Sequence, residues 1–302
     1  MPRVRLALVS NPKSGTAPEP QRLAQMLAAD GAHVGVSAIQ DLAAKDGELD
    51  GEGLARAQAW LSKDGPPDRI VVAGGDGSIG ITALIAAEMG IALAVVAAGT
   101  ANDFARAMGL PLDIDEACAL ARDPHAKTRQ AELALAGDRP FVNAAATGLS
   151  VAAAREARPH KSRLGPLAYA VGALRAAAGA EPLRCQIVCD GDTCWEGSAW
   201  QVIVGATGAF GGGSEIGGTR PDDGLLDVAI VPAGSRIGLA RRAAGMRRGR
   251  LAEQSDVAHH RAATIEVDTE GRKQTFNVDG EVCPCEPAHF TLRDGGFRVV
   301  VG

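Results

Sequence analysis

Three short polar loops contain the residues whose types suit phosphate binding. Each follows an apolar run: Asn11–Thr16, Gly74–Ser78 and Gly99–Asp103. Glycine lets backbone N–H groups approach a phosphate, and the start of a helix adds a favourable dipole. Together the loops predict a polyphosphate site, although each alone is also compatible with a tight connection. The candidate ligands are Asn11, Gly74, Gly75, Asp76, Gly77, Ser78, Gly99, Thr100, Asn102 and Asp103.

Three side chains in these loops have a structural alternative. Asp76 lies just before a helix predicted to begin near Ile79, so it is a phosphate-loop residue, the N-cap of that helix, or both. Asn102 and Asp103 are either caps for the helix that contains Phe104 or members of the phosphate network. The sequence leaves these alternatives open.

A pair of carboxylates near residue 280 suits proton transfer. Asp279 and Glu281 lie two residues apart at the end of an apolar strand that contains Phe276 and Val278, which would let both project to one side. Phosphoryl transfer to an alcohol needs a carboxylate placed to take its proton. We predict that one of these two carboxylates is the base that takes the proton of the alcohol. The sequence does not distinguish which one. The alternative is a plain Asp-Gly hairpin turn.

Several common motifs are excluded. The sequence contains no Gly-x-x-x-x-Gly-Lys-Ser/Thr, and Gly208–Gly213 imitates a dinucleotide fingerprint only loosely, in a strand-rich region. The spacing of Cys283 and Cys285, with the cysteines at 185, 189 and 194, is not that of a zinc site. We expect reduced thiols.

The elements that would position these residues change in kind along the chain. In the first part, apolar runs at 4–10, 34–39, 70–73 and 92–97 alternate with helices such as 21–29 and 79–89, which predicts a parallel sheet buried on both faces. Ligands of such sheets bind beyond the carboxyl ends of the strands. After about residue 127 the strands become more frequent and the turns tighter, as at Asp190-Gly191.

These patterns predict two domains. Residues 1–128 form an α/β nucleotide-binding domain, and residues 129–302 form a β-rich, mostly antiparallel sandwich domain. The last residues of the chain are allowed to pack back on the first domain. Two helices interrupt the second half: one contains Leu164, Leu167, Val171 and Leu174, and the other covers Ile237–Arg248.

Composition limits the partners. In 302 residues, 36 acidic side chains against 31 Lys and Arg give a net charge of −5, so no general positive field can hold a nucleic acid. The longest uncharged stretch, Gly197–Ser214, is too rich in glycine for a membrane span, and no signal peptide is recognised. We expect a cytoplasmic protein. Whether it forms a homodimer stays open.

One basic segment suggests contact with a membrane. Arginines at 236, 241, 242, 247, 248 and 250 form one basic segment, four of them on the predicted helix Ile237–Arg248 and two beside it. Such a helix could bind anionic lipid headgroups at the inner membrane face. The alternative is a solvated helix face that balances an acidic protein.

Five motifs occur in the order found in one known family. They are Asn11–Gly15, Gly74–Ser78, Gly99–Ala105, Asp222–Asp227 and Asp279–Glu281. In these motifs the chain resembles bacterial lipid kinases of the diacylglycerol kinase catalytic family over nearly its whole length. The resemblance implies an N-terminal nucleotide domain, a C-terminal β-rich domain, and an interdomain cleft where ATP and the hydroxyl of a membrane lipid meet.

The resemblance also implies roles for individual residues, with Mg²⁺ as a cofactor beside ATP. Asp76 would act through Mg²⁺ or as a rival base. Asp223 would bind a structural Mg²⁺ through its carboxylate, together with the backbone carbonyls of Arg220 and Leu225, and oxygen ligands suit this hard cation. A surface turn is the alternative, because Pro-Asp-Asp-Gly is a strong turn sequence.

Three functions remain in competition. The first is a kinase that transfers the γ-phosphate of ATP to a lipid such as diacylglycerol. The second is a kinase of a soluble acceptor, since the Gly-Gly-Asp-Gly loop also resembles that of NAD kinases. The third is a nucleotide-binding module without turnover, suggested by Gly80 and the Gly211–Pro221 segment, where the chain departs from the family pattern.

Overall fold

The computed structural model describes residues 4–12, 14–15, 17–42, 49–63, 65–157, 181–211, 213–216, 220–235, 257–269, 274–285 and 288–302. The predicted helix with Leu164 and Leu174 and the basic helix Ile237–Arg248 lie outside these residues, as do Lys13 and Thr16. Among the described residues, no helix is long and apolar enough to cross a membrane.

Helices and strands alternate first, and strands then dominate. The helices are α1 (Pro20–Leu27), α2 (Ile39–Leu42), α3 (Gly51–Ser62), α4 (Asp76–Met89), α5 (Asp103–Ala107), α6 (Ile114–Arg122) and α7 (Leu149–Ala157). The strands are β1 (Arg5–Ser10), β2 (His33–Ala38), β3 (Arg69–Gly74), β4 (Ala92–Ala97), β5 (Lys127–Ala131), β6 (Ala134–Ala136), β7 (Arg139–Phe141), β8 (Ala144–Gly148), β9 (Leu183–Cys189), β10 (Asp192–Gly205), β11 (Ala209–Phe210), β12 (Ser214–Glu215), β13 (Leu226–Pro232), β14 (Ala258–Ala262), β15 (Thr264–Asp268), β16 (Thr275–Val278), β17 (Glu281–Pro284), β18 (His289–Leu292) and β19 (Phe297–Val301).

The chain divides into two compact units. The first contains residues 1–133, 138–140 and 293–302, and the second contains residues 134–137 and 141–292. The first unit is built on a six-stranded sheet in the order β2-β1-β3-β4-β19-β5. Strands β3 and β4 are buried along their whole length, as expected for apolar strands with helices on both faces. The parallel α/β fold predicted for this region is confirmed.

The helices of the first unit cover both faces of that sheet. Leu23 and Leu27 of α1 and Cys118 of α6 pack with apolar side chains of β1, β3 and β4. Helix α4 packs against β3, β4 and β19 and is almost fully apolar, with nine buried residues, because it lies in the interior. It begins at Asp76, three residues earlier than the apolar pattern predicts.

Strand β19 belongs to the first sheet. Phe297–Val301 was counted among the strands of the second half, with the last residues allowed to pack back on the first domain, and it pairs parallel to β4 and antiparallel to β5. Gly296 makes the entry possible, since it has a φ of 49° and a Cβ there would lie 2.2 Å from the carbonyl oxygen of Ala131. Phe297 is stacked on Phe104 of α5, with ring centroids 5.9 Å apart.

The second unit is built on an antiparallel sheet with a core on each face. The sheet runs β17-β16-β8-β10-β9-β15-β18-β6-β7, with β13 paired to β10 and to β14. Alternate residues of β10 point to opposite faces: Val202 and Val204 join one apolar cluster, and Ile203 joins the other. The predicted β-rich, mostly antiparallel domain is confirmed.

Candidate active site

The three polar loops meet at one edge of the first sheet. They leave the carboxyl ends of β1, β3 and β4, which are neighbours in the sheet and run parallel. Backbone hydrogen bonds fix the exits: the Asn11 N–H donates to the Ala73 carbonyl at 2.9 Å, and the Ala98 N–H donates to the Gly74 carbonyl at 2.9 Å. This edge is where open α/β sheets bind ligands.

Small side chains join the first loop to the second. The Asn11 amide donates through Nδ2 to the Ser78 hydroxyl at 2.9 Å, and the Gly75 N–H donates to the Ser14 hydroxyl at 3.3 Å. Ser78 is buried in the first turn of α4. The two loops therefore form one hydrogen-bonded unit at the start of that helix.

Close backbone contact joins the second loop to the third, and it requires glycine. A Cβ on Gly99 would lie 2.6 Å from the Cα of Gly75, and a Cβ on Gly74 would lie 2.8 Å from the Ser78 hydroxyl. Thr100 also approaches the first loop, since its hydroxyl would lie 3.4 Å from a Cβ on Gly15. These glycines are needed for packing of the loops, whatever binds there.

Asp76 caps a helix other than the one predicted. Helix α4 begins at Asp76 itself, with Gly75 at the N-cap, so Asp76 does not cap its own helix. Its carboxylate instead accepts hydrogen bonds from the N–H groups of Asp103 at 3.3 Å and Phe104 at 3.0 Å, which start α5. The buried carboxylate thus joins the second and third loops and satisfies two N–H groups that a helix start leaves open.

Asn102 also differs from its predicted capping role. It precedes α5 with a φ of 54°, a conformation that asparagine tolerates. Its side-chain oxygen accepts from the Gly99 N–H at 2.8 Å, within its own loop, and makes no capping bond to the helix. Asp103 is the first residue of α5 and is buried. Binding of phosphate by these residues stays a prediction.

Asp279 and Glu281 lie at a hairpin, and this corrects the reason for grouping them. Asp279 and Gly280 form the turn between β16 and β17, with φ values of 45° and 89°, and Glu281 begins the next strand. The alternation expected of two residues on one strand does not apply here. The structure contains the Asp-Gly hairpin that was the alternative to a functional pair. Asp279 lies in its turn, and Glu281 directly follows the turn.

The Asp279 carboxylate is held by three backbone groups. Its Oδ2 accepts from the Val142 N–H at 2.8 Å, and its Oδ1 accepts from the N–H groups of Asn143 and Ala144, both at 3.1 Å. The Asp279 N–H donates to the Ala144 carbonyl at 3.1 Å. The turn is therefore tied to the start of β8. Glu281 is exposed.

A buried polar pair supports the segment that binds Asp279. The Thr207 hydroxyl donates to the Asn143 side-chain oxygen at 2.9 Å, and the Ala206 N–H donates to the Asn143 carbonyl at 2.9 Å. Both side chains are buried. Sequence analysis missed Asn143 and Thr207 because neither belongs to a local motif. A polar residue inside the apolar stretch 141–146 is the only signal they leave.

The loop predicted to bind a structural Mg²⁺ is paired with arginine. Arg261 donates through Nη2 to Asp223 Oδ2, and its Nε lies 3.3 Å from Oδ1 of the fully buried Asp227. His259 Nε2 lies 2.6 Å from the same Asp227 oxygen. The hydrogen bond to Asp223 is the main cause that raises the pKa of Arg261. Neither Arg261 nor His259 was identified from the sequence, because only strand pairing places them beside this loop.

The chain matches two family models and several named proteins. Residues 5–134 match the diacylglycerol kinase catalytic domain, and residues 143–301 match the YegS C-terminal NAD kinase beta sandwich-like domain. A protein of Pseudomonas syringae pv. syringae (strain B728a) named "Probable lipid kinase YegS-like" is 32% identical over 235 residues, which are 76% of this chain and 74% of that protein. A "Diacylglycerol kinase" of Staphylococcus haemolyticus (strain JCSC1435) is 28% identical over 247 residues, 80% of this chain and 73% of that protein. The crystal structure of a diacylglycerol kinase from Bacillus anthracis str. Sterne superposes with a TM-score of 0.74 at 25% identity, over 99% of this chain and 97% of that one.

Proposed function

The chain belongs to the diacylglycerol kinase catalytic family, as the five sequence motifs indicated, and on this premise we propose that it transfers the γ-phosphate of ATP to a hydroxyl of a membrane lipid such as diacylglycerol. The observation that supports the proposal most is the meeting of three glycine-containing loops at the carboxyl edge of the first sheet. Loops of this kind suit a polyphosphate.

We assign binding of the nucleotide to the first unit. Backbone N–H groups of the loops and the start of α4 would hold the phosphates, and Mg²⁺ would arrive as part of the substrate Mg·ATP. Asp76 would help indirectly, because its carboxylate fixes the third loop against the second through the start of α5. In phosphoryl transfer most of the rate comes from such positioning and from neutralised charge.

We assign to the second unit the removal of the proton from the acceptor hydroxyl. Both oxygens of Asp279 already accept backbone hydrogen bonds, which fix the carboxylate to residues 142–144. Glu281 is exposed and follows directly in the chain. We assign Glu281 the role of the base and Asp279 the role of a positioning residue. The lipid hydroxyl gives its proton to Glu281 while its oxygen bonds to the γ-phosphorus, and the bond from that phosphorus to the leaving ADP oxygen breaks.

Labelled ATP with separate acceptors tests the proposal. The purified chain, Mg²⁺ and γ-labelled ATP are incubated with vesicles that contain diacylglycerol, with a total membrane lipid extract, or with NAD. We expect label in the lipid fraction of the first two reactions. Label on NAD alone would favour a kinase of a soluble acceptor. The match of residues 143–301 to an NAD kinase beta sandwich-like domain supports that alternative. Saturable ATP binding with no labelled product would favour a module without turnover.

A further inference from the structure

Strand pairing brings Arg261 to the loop for which the family resemblance implies a cation. In the β13–β14 ladder Arg261 lies directly opposite Asp227, and Asp223 lies four residues before Asp227 in the loop that leads into β13. The guanidinium contacts both carboxylates, through Nη2 to Asp223 and through Nε to Asp227 at 3.3 Å. One arginine therefore links the loop to the neighbouring strand.

Each oxygen of the Asp223 carboxylate already accepts a hydrogen bond. Its Oδ2 accepts from Arg261, and its Oδ1 accepts from the Leu225 N–H at 3.3 Å. Asp227, which is buried without exposed surface, has Arg261 and His259 on one oxygen. A buried carboxylate is stable only when such partners offset its lost hydration.

These residues do not fit the implied Mg²⁺. Magnesium requires oxygen ligands in a nearly regular octahedron, and a guanidinium on the same carboxylate places a like charge a few ångströms away. The loop also has its charges nearly balanced. The carboxylates of Asp222, Asp223 and Asp227 face the guanidinium groups of Arg220 and Arg261, and the imidazole of His259.

We propose that Arg261 takes the place of a divalent cation in this loop, so that residues 220–227 keep their conformation without metal. The guanidinium contacts one oxygen of each of two carboxylates with a fixed geometry, which suits a constant structural role. The metal requirement of the chain would then come only from the Mg·ATP that binds elsewhere. This inference is independent of the proposed function, because it is tested without nucleotide or lipid.

Thermal unfolding of the nucleotide-free protein tests the proposal. The midpoint Tm is measured by tryptophan fluorescence in EDTA and at increasing MgCl₂ or CaCl₂. We expect a difference below about 1 °C between these conditions, whereas a cation bound at a hundred times its Kd would raise Tm by roughly 5–10 °C. An increase of that size in the wild-type protein would overturn the proposal.

Variants of Arg261 sharpen the test. In Arg261→Ala we expect a lower Tm that Mg²⁺ partly restores, because Asp223 and Asp227 lose the guanidinium that they share. Arg261→Lys keeps one positive charge, and we expect it to stay insensitive to Mg²⁺. Arg56→Ala is the control, since Arg56 pairs with Glu52 on an exposed helix face at 3.8 Å and should change neither property. An Arg261→Ala protein with the wild-type Tm and no response to Mg²⁺ would refute the role of Arg261, and should that variant not fold, the wild-type measurement still decides.

Discussion

Two hairpins of the second unit are built alike, yet only one is assigned to catalysis. Asp190-Gly191-Asp192 joins β9 to β10, and Asp279-Gly280-Glu281 joins β16 to β17. Both aspartates have a positive φ, 50° and 45°, and both carboxylates accept N–H groups of a neighbouring segment. The local motif therefore does not identify the site.

What differs is the segment that each aspartate holds. Asp190 accepts from Ala263 and Thr264 in an exposed position. Asp279 accepts from residues 142–144, whose middle residue, Asn143, is buried and bonded to Thr207. The first turn is stabilised locally, whereas the second is fixed to the interior. An acid that follows a turn of the second kind has a defined position, which a proton acceptor needs.

A third Asp-Gly turn, Asp223-Gly224, shows another use of the same residues. Its carboxylate is paired with the guanidinium of Arg261 as well as with one backbone N–H group, that of Leu225. Backbone groups fix a carboxylate and leave its net charge in place, while a guanidinium cancels that charge. The partner, and not the dipeptide, decides whether the turn is suited to chemistry or to structure.

The largest expected effect separates the acids that follow the two hairpins. Glu281→Gln should lower kcat for phosphoryl transfer by roughly 10²- to 10⁴-fold, because it removes the proton acceptor, while the Kd for ATP stays the same. Asp192→Asn is the matched control and should retain full activity. Initial rates with labelled ATP and isothermal titration with ATP give the two quantities. Full activity of Glu281→Gln would show that Glu281 is not the base, and that the two hairpins do not differ in catalysis.

A second variant tests nucleotide binding in the first unit. Gly99→Ala should weaken ATP binding by about tenfold or more, equal to about 1.4 kcal/mol, because the new Cβ would lie 2.6 Å from the Gly75 backbone and separate the loops. Gly51→Ala is the control, since a Cβ there meets nothing within 4 Å. Titration calorimetry measures both affinities. Equal affinities of the two variants would show that ATP binding does not depend on the contact between these loops.

A third, smaller effect is expected on stability, where the contributions of Asp279 and Asp190 are compared. Asparagine tolerates the positive φ, so Asp279→Asn and Asp190→Asn change the charge and one acceptor but not the turn. Asp279→Asn leaves a partly buried N–H unsatisfied, at a cost of about 1–3 kcal/mol and a Tm lower by roughly 2–10 °C. Asp190→Asn should lower Tm less, because water replaces the lost partner. Equal losses in differential scanning fluorimetry would contradict the contrast in burial.

The smallest expected effect is the pH dependence of the exposed turn. Backbone hydrogen bonding, chiefly to Thr264, lowers the pKa of Asp190 below its ordinary value. Its stabilising contribution is therefore present above the unfolded-state pKa of about 3.9 and is lost as the pH falls through the lower folded-state pKa. The difference in Tm between the wild type and Asp190→Asn should be seen at pH 7 and shrink as the pH falls below the unfolded-state pKa of about 3.9. A difference that persists in acid would refute the charge as its cause.

Sequence reasoning worked best where local patterns decide the structure. The four predicted strands of the first sheet, 4–10, 34–39, 70–73 and 92–97, agree with the observed strands to within one residue at each end. They are short apolar runs bounded by glycine or polar residues, so the pattern itself marks their ends. The start of α4 was missed because Asp76, Gly77 and Ser78 belong to the helix but contribute no apolar periodicity.

The missed features depend on contacts between distant residues. Strand β5 has four exposed residues of five, mostly polar, and gives no strand signal of its own. The partners of the carboxylates were missed for the same reason: Asp76 caps α5, Asp279 binds the start of β8, and Asp223 pairs with Arg261. The sequence predicts these acids as candidates, but only the folded chain shows what holds each of them.

Strand β19 has a consequence for biosynthesis. It inserts between β4 and β5, yet the ribosome makes it roughly ten to thirty seconds after β5, once nearly all of the second unit has been translated. During that interval the nascent sheet lacks the strand between β4 and the edge strand β5, and β4 presents an open hydrogen-bonding edge that invites mispairing. The part of the chain that emerges first is thus among the last to be completed, and chaperones that shield nascent edges should influence its yield.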